Sequence, residues 1–402
     1  MNVAINWAGL TESHSALTED EMRSWRLLPS RQQPAWNDDW LVTGIRRDLA
    51  CLPELVDADE IHALRSALAD VAAGRRQVVQ AGDCAEDPAE CTPAHLGRKT
   101  GLLDALAGVM QIGSGLPVLR VGRFAGQFAK PRSGPTEVVD GVELPVFRGH
   151  LVNGPKETEE DRRPDPLRML ACHEAATTAM TYLRKQQEIT RVPVWTSHEA
   201  LLMDYELPQL RRGSEGDMLL TSTHWPWIGD RTRQLDGSHV RMLAAVSNPV
   251  ACKVGPSMTE EELLRLCALL DPARRPGRLT LISRMGAGEA ARRLPALAAR
   301  VREAGHPVVW LCDPMHGNTV RATSGRKTRL LSSVTQEIVE FQAALREVGA
   351  IPGGLHLETT PDTVGECIAD ASELTSCDGR STTLCDPRLN AEQAISAAAN
   401  WN

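Results

Sequence analysis

From residue 77 onward, short apolar runs recur along the chain, and each ends in a cluster of polar or glycine residues. Gln77–Ala81 leads into Gly82-Asp83-Cys84-Ala85-Glu86, Pro117–Val121 into Gly122-Arg123, Val192–Trp195 into Thr196-Ser197-His198-Glu199, and Met218–Ser222 into Thr223-His224-Trp225. Val250–Val254, which carries Lys253, leads into Gly255-Pro256, and Leu279–Ile282 into Ser283-Arg284. Val308–Leu311 leads into Cys312-Asp313-Pro314-Met315-His316, and Gly354–Leu357 into Glu358-Thr359-Thr360. Runs of this length bounded by turn formers read as buried strands. Helical periodicity separates most of them, as in Glu260–Leu270, Gly288–Ala304 and Thr335–Val348. Strands alternating with helices predict βαβ units and a parallel sheet. Eight such units predict an α/β fold, a (β/α)8 TIM barrel with its chemistry at the C-terminal ends of the strands. An open doubly wound sheet shares the alternation and is the alternative.

The rhythm starts late and is interrupted once. Residues 1–70 read as an N-terminal extension and 71–402 as the barrel. Within the extension, Gln32-Gln33-Pro34-Ala35-Trp36 breaks regularity, and Asp57–Ala73 reads as an amphipathic helix capped by Asp57 or Asp59. After the second run, Thr136–Val139 and Val142–Phe147 flank Asp140-Gly141, which predicts a β-hairpin hung from the barrel mouth. Residues 155–168 are polar and charged and read as an exposed loop.

Composition narrows the classes. The 402 residues are enough for a barrel of about 250 residues with extensions. A net charge of −8 with no Lys/Arg block argues against a nucleic-acid partner. No apolar stretch approaches the roughly 20 residues that span a bilayer. Met1–Trp25, with Glu12, Glu19, Asp20 and Glu21, lacks the apolar centre of a signal peptide. No membrane association and a cytoplasmic location are therefore expected. Ten scattered cysteines with no CxxC pair are expected to be reduced.

Candidate chemistry gathers at the strand ends. Cys84 reads as a buried small residue, a nucleophile or a metal ligand, and no single neighbour decides among them. Other ligand types end other strands: His316, Glu358 and, past the last run, Asp386 in Cys385-Asp386-Pro387-Arg388-Leu389-Asn390. A thiolate, an imidazole and two carboxylates suit Mn2+, Fe2+, Co2+ or Zn2+ better than Ca2+, although spacing alone leaves the grouping open. His316 sits in a turn, where a histidine is more often functional than on a helix face. His198 with Glu199, and His224 beside Trp225, read equally as pocket-shaping residues. Arg123, Lys130, Arg132, Arg231, Lys253 and Arg284 form a basic set. Lys253 and Arg284 lie in or at the end of apolar strands, where a positive charge needs an anionic partner. Several such charges around one mouth predict a polyanionic ligand, and Lys130-Pro131-Arg132-Ser133 is a compact phosphate candidate. Gly286-Ala287-Gly288-Glu289-Ala290-Ala291 imitates a dinucleotide fingerprint. The intervening Ser283-Arg284-Met285, and Glu289 where a pyrophosphate would dock, count against NAD.

These segments carry a specific resemblance. Gly82–Glu86, Gly122–Ser133 (GRFAGQFAKPRS), Trp225–Arg233 (WPWIGDRTR), Asn248–Pro256, Asp313–Thr319 (DPMHGNT) and Cys385–Asn390 are similar, in order, to type II 3-deoxy-D-arabino-heptulosonate 7-phosphate (DAHP) synthases. The similarity runs from about Gln32 to the C-terminus, and the short chain most resembles the branch serving phenazines and related secondary metabolites. The resemblance implies a (β/α)8 barrel, here with a hairpin insertion after strand 2. It implies a 3-deoxy-7-phosphoheptulonate synthase that condenses phosphoenolpyruvate with erythrose 4-phosphate. It implies a divalent metal, Mn2+ or Co2+ ahead of Fe2+ or Zn2+, held by Cys84, His316, Glu358 and Asp386. Phosphoenolpyruvate contacts fall on Arg123, Asp230, Arg231, Lys253 and Arg284, and the erythrose phosphate site on Lys130, Arg132 and Ser133. Lys253, His316, Asp230 and Glu199 are the candidates for proton transfer. Asp230 stands where the family usually has Glu, one methylene longer. A homo-oligomer, dimer or tetramer, is expected.

Only residues 148–166 lie between the hairpin and the helix near Leu167, too few for the inserted helices of longer relatives. Insensitivity to Phe, Tyr and Trp is therefore expected. Cys385 adjoins Asp386, so oxidation of metal-free protein is expected to join Cys84 to Cys385. Two other readings share these residues: the same chemistry on an amino analogue of erythrose 4-phosphate, and a non-catalytic regulatory homologue. An unrelated metal-dependent aldolase or phosphohydrolase on a barrel fits the order of motifs less well.

Overall fold

Eight parallel strands close on themselves in the computed structural model, which describes residues 15–16, 19–139, 141–214, 216–375 and 379–402. They are β1 (Gln77–Gly82), β2 (Val118–Arg123), β3 (Trp195–Glu199), β4 (Trp225–Ile228), β5 (Val250–Val254), β6 (Leu279–Ser283), β7 (Val309–Cys312) and β8 (Pro352–Glu358). Each pairs with its sequence neighbours, and β8 pairs with β1 to close the ring, Glu358 standing opposite Gly82. Helices alternate with the strands as the periodicity predicts, Glu260–Leu270 to the residue.

Strand alternation divides the side chains between two cores. Val79 and Ala81 belong to the outer core, together with the helix residues Leu96, Leu103 and Leu106. Val78, Leu119, Val121, Trp195, Trp225, Trp227, Ala251, Ile282, Val309 and Leu311 form the inner one. Helix α1 (Ala58–Ala72) closes the foot of the barrel by adding Leu64, Leu68 and Val71 to that inner cluster. Its start is fixed by a capping box: Asp57 accepts from the Glu60 N–H at 2.8 Å, and Glu60 accepts from the Asp57 N–H at 3.0 Å. Leu68 is fully buried there. Leu68→Ala is expected to cost about 2–5 kcal/mol in denaturant unfolding. A loss under about 0.5 kcal/mol, the scale of a surface change, would show that α1 does not seal the foot.

Two strands differ from the sequence expectation. The fourth barrel strand is Trp225–Ile228, not Met218–Ser222; Met218–Leu220 instead pairs antiparallel with Leu210–Arg212 outside the barrel. Pro226 makes WPWI read as a loop, because proline cannot donate to a ladder. In a four-residue strand, one missing donor is tolerated. The shift moves His224 from the mouth to the foot, where Nδ1 accepts from the Thr196 N–H at 3.0 Å and Nε2 lies 3.7 Å from Glu60. The third strand runs through Thr196–Glu199 rather than ending before it. Inside the barrel, Ser197 Oγ accepts from Gln80 Nε2 at 2.8 Å.

After β2 the chain forms an antiparallel hairpin, Thr136–Val139 against Val142–Pro145. Gly141 takes a φ of +81° in its turn, and Asp140 lies outside the described residues. Among the described residues no helix is long and apolar enough to cross a membrane.

Candidate active site at the barrel mouth

The same alternation that fills the foot with apolar side chains delivers charge at the top. Two positions beyond Val121, Ser197 and Ala251 on the inner face stand Arg123, Glu199 and Lys253, and two beyond Leu311 stands Asp313. On β8, His356 and Glu358 take the same face. Together with loop residues they surround a cavity of about 400 Å3. Its walls include Arg123, Lys130, Arg132, Ser133, Glu199, Asp230, Arg231, Lys253, Arg284, His316 and Asp386. Cys84 and Glu358 are fully buried next to it.

One side of the cavity is rich in metal-binding atoms. The ligand atoms of Cys84, Glu358 and Asp386 lie within 4.8 Å of one another. The C-terminal loop is brought there by main-chain contacts: the Asp386 N–H donates to Cys84 Sγ at 3.1 Å, and the Leu389 N–H to the Glu358 carbonyl at 2.9 Å. Arg388 anchors the loop on Asp83 at 2.7 Å. His316 reaches the group through Glu358, its Nε2 lying 3.2 Å from Oε1, while Nδ1 meets Asp313 Oδ2 at 2.7 Å. A carboxylate on one imidazole nitrogen fixes the ring and leaves the other to face a metal. Lys130 Nζ stands among these groups, 3.2 Å from Cys84 Sγ and 2.9 Å from Asp386 Oδ2.

The electrostatics follow from burial and these neighbours. Burial alone would raise the Glu358 carboxyl, but His316, Lys130, Arg329 and Arg123 outweigh it and hold the group well below the usual carboxylate range. Asp386 is held down in the same way, with Lys130 the main cation. Burial, the hydrogen bond with Cys385 and the nearby carboxylates push the Cys84 thiol up, against Lys130. A bound divalent cation reverses that balance, because a coordinating thiol is deprotonated outright. The structure brings Cys84, Glu358 and Asp386 together and leaves His316 beside them, in contact with Glu358 alone of the three; a sulfur and two carboxylates with an imidazole at their edge are a donor set that fits a borderline divalent ion.

The opposite wall is cationic. Arg284 Nη1 lies 3.2 Å from Asp230 Oδ2, and its Nη2 donates to the His316 carbonyl at 3.1 Å. Asp230 is also held by Arg233 at 2.9 Å, so the shorter carboxylate is fixed between two guanidiniums. Arg231 Nη2 donates to Ser133 Oγ at 2.8 Å, which links the loops after β2 and β4. Lys253 Nζ lies 2.5 Å from Asp313 Oδ2. Burial pushes its ammonium down, Asp313 pulls it back, and Arg123 pushes it down again, to about 8. The anionic partners that the apolar strands demanded are thus Asp313 for Lys253 and Asp230 for Arg284.

Glu199 is different. It is buried, its Oε1 has no hydrogen-bond partner, and burial raises its carboxyl against Lys130, Lys253, His316 and Arg231. His198, next to it, points away from the cavity and pairs with Glu206 at 2.9 Å. The glycine-rich turn at 286–288 is filled by the protein itself: Glu337 accepts from the Met285 and Gly286 N–H groups at 2.9 Å, and Glu340 from Gly288 at 2.7 Å. Those amides are not free to cradle a pyrophosphate.

Sequence reasoning missed His356 and Lys327. His356 Nε2 lies 2.8 Å from Arg123 Nη1. It stands two positions before Glu358 and so shares its face, a signal that was available. Lys327 lies 2.8 Å from Asp386 on a short strand, Lys327–Arg329, that no periodicity announces.

A profile of the class-II DAHP synthetase family matches residues 20–190 and 182–401. A Pseudomonas fluorescens protein described as a probable phospho-2-dehydro-3-deoxyheptonate aldolase is 49% identical over 388 residues, covering 95% of this chain and 97% of its own. Phospho-2-dehydro-3-deoxyheptonate aldolases of Streptomyces coelicolor and Mycolicibacterium smegmatis are 38% and 34% identical, covering 93% and 92% of this chain and 95% and 91% of their own. The solved Francisella tularensis phospho-2-dehydro-3-deoxyheptonate aldolase superposes with a TM-score of 0.52 at 14% identity, over 90% of this chain and 97% of that one, a likeness of fold.

Proposed function

The chain belongs to the class-II DAHP synthetase family, and on that premise we propose that the barrel mouth is the active site of a 3-deoxy-7-phosphoheptulonate synthase. The reaction joins phosphoenolpyruvate, erythrose 4-phosphate and water into DAHP and phosphate, the first step of the shikimate pathway. The observation that carries this assignment is the meeting, in one cavity of about 400 Å3, of a thiol–carboxylate cluster and a wall of Arg and Lys. A carbonyl to be polarised and two phosphates to be held require that combination.

Cys84, His316, Glu358 and Asp386 would hold the divalent ion, with Mn2+ or Co2+ the preferred metals. Bound there, the ion supplies Lewis-acid polarisation of the aldehyde. The chain's own groups do the rest. Arg123, Arg231, Lys253 and Arg284 bind the carboxylate and phosphate of phosphoenolpyruvate and present its C3 to the aldehyde carbon. Lys130, Arg132 and Ser133 hold the phosphate of the sugar. As the C2=C3 π pair forms the bond from C3 to the aldehyde carbon, the carbonyl π pair moves onto the aldehyde oxygen. Positive charge develops at C2, water adds there, and the proton it releases balances the one the aldehyde oxygen takes up. Glu199, with one oxygen unpartnered, is placed to take the proton of that water. Cleavage of the C2–O bond then releases phosphate, whose charge the arginines stabilise. Asp230 serves by fixing Arg284 and Arg233.

Capture of an anionic substrate by Lys253 needs the ammonium. With the group held down to about 8, kcat/KM for phosphoenolpyruvate is expected to fall as pH rises past about 8. In Lys253→Arg the guanidinium stays charged, and the fall should move to higher pH. An unchanged descending limb in that variant would exclude Lys253 as its source. The assignment as a whole is tested by incubating the protein with both substrates and Mn2+. One DAHP and one phosphate should form per phosphoenolpyruvate consumed, and no consumption would reject it.

A further inference from the structure

Two adjacent glutamines, ahead of every barrel strand in the sequence, make the same kind of contact with two different mouth loops. The Gln32 amide meets the Arg132 main chain in both directions: Nε2 donates to the Arg132 carbonyl at 3.0 Å, and Oε1 accepts from the Arg132 N–H at 2.8 Å. Gln33 repeats the pattern on the loop after β3. Its Nε2 donates to the Leu201 carbonyl at 2.9 Å, and its Oε1 accepts from the Met203 N–H at 2.9 Å. The first loop carries Lys130, Arg132 and Ser133 into the cavity, and the second follows directly from Glu199. Neither glutamine lines that cavity.

An amide that both donates to and accepts from main-chain groups fixes a loop's position and orientation without depending on the loop's side chains. The same stretch is tied down further along: Trp36 Nε1 donates to Asp204 Oδ2 at 2.7 Å, and Arg46 Nε to Asp204 Oδ1 at 2.8 Å. Gln32 holds its place in a left-handed backbone, at a φ of +65°. Glycine takes that conformation without steric cost, whereas Gln32 carries its side chain there against the backbone's preference, and its amide pairs with Arg132.

We propose that Gln32 is a positioning residue for the reaction: it sets the main chain of Arg132 so that Arg132 and Ser133 meet the sugar phosphate. The inference rests on the reading of 130–133 as the site of erythrose 4-phosphate. Gln32→Gly separates positioning from folding, because it removes the amide while relieving the left-handed backbone. Gln32→Met is its companion, retaining length and packing without hydrogen bonds.

The test is steady-state kinetics of the full-length, Mn2+-loaded enzyme with each substrate varied in turn, alongside thermal unfolding. Both variants should raise KM for erythrose 4-phosphate about tenfold, while kcat and KM for phosphoenolpyruvate stay within about twofold. The glycine variant should melt no lower than the wild type. An unchanged KM for erythrose 4-phosphate in both variants would overturn the proposal. So would a parallel decline of all three parameters with a lowered melting point, the mark of a purely structural tie. A wild type that does not consume the two substrates would overturn the underlying reading instead, before any variant is compared.

Discussion

Cys84→Ala is expected to yield a folded barrel that has lost essentially all turnover. The side chain is fully buried and its sulfur lies within 4.8 Å of ligand oxygens from Glu358 and Asp386. Deleting it removes the soft donor of the set. Loss of groups that merely support a metal's ligands already costs about 10–100-fold in affinity or activity, so loss of a ligand should exceed a hundredfold. The fold should survive, since the sulfur's other contacts, with Lys130 at 3.2 Å, the Asp386 N–H at 3.1 Å and Cys385, are to groups held in place by further partners. Two checks belong together: metal content by elemental analysis and the melting point. Full activity with wild-type metal content would remove Cys84 from the site. Cys84→Ser, which keeps a hard donor in place of the soft one, should bind metal more weakly than the wild type.

Glu199→Gln is expected to lower kcat by about 10²–10⁴, the usual worth of a positioned acid or base. The substitution is nearly isosteric. The main-chain contacts at this position, the Glu199 N–H donating to Gln127 Oε1 at 3.0 Å and the Leu201 N–H donating to the Glu199 carbonyl at 2.8 Å, are preserved. What changes is the carboxylate oxygen that has no partner in the protein. Gly229 makes room for it: a Cβ there would stand 2.1 Å from Oε1. Because the cations around Glu199 remain in place, KM for phosphoenolpyruvate should change far less than kcat. A kcat within about threefold of the wild type would move the proton-transfer role to another residue.

The architecture was legible because a closed parallel barrel imposes two simple periods, strand–helix alternation along the chain and in–out alternation within each strand. Lys253 was conspicuous as a charge among the apolar residues of 250–254, and the structure pairs it with Asp313. The misplaced fourth strand has an opposite origin. Met218–Leu220 is apolar because it packs against the barrel from outside, and Trp225–Ile228 carries a proline. Local pattern cannot tell an outer buried strand from an inner one. The site was legible only in part. Glu358 and His356 follow from parity on one strand, but the approach of Asp386 to Cys84 depends on a loop anchored by Arg388, which no spacing encodes. Lys327 and the amide contacts of Gln32 belong to the same class, being long-range contacts made by irregular segments.

The most direct test of the central claim is phosphoenolpyruvate consumption with erythrose 4-phosphate by chelator-stripped protein to which single divalent metals are returned. The expected result is no turnover without metal and restored turnover with Mn2+ or Co2+, with DAHP as product. No turnover with any divalent metal, or full turnover in the stripped protein, would contradict it.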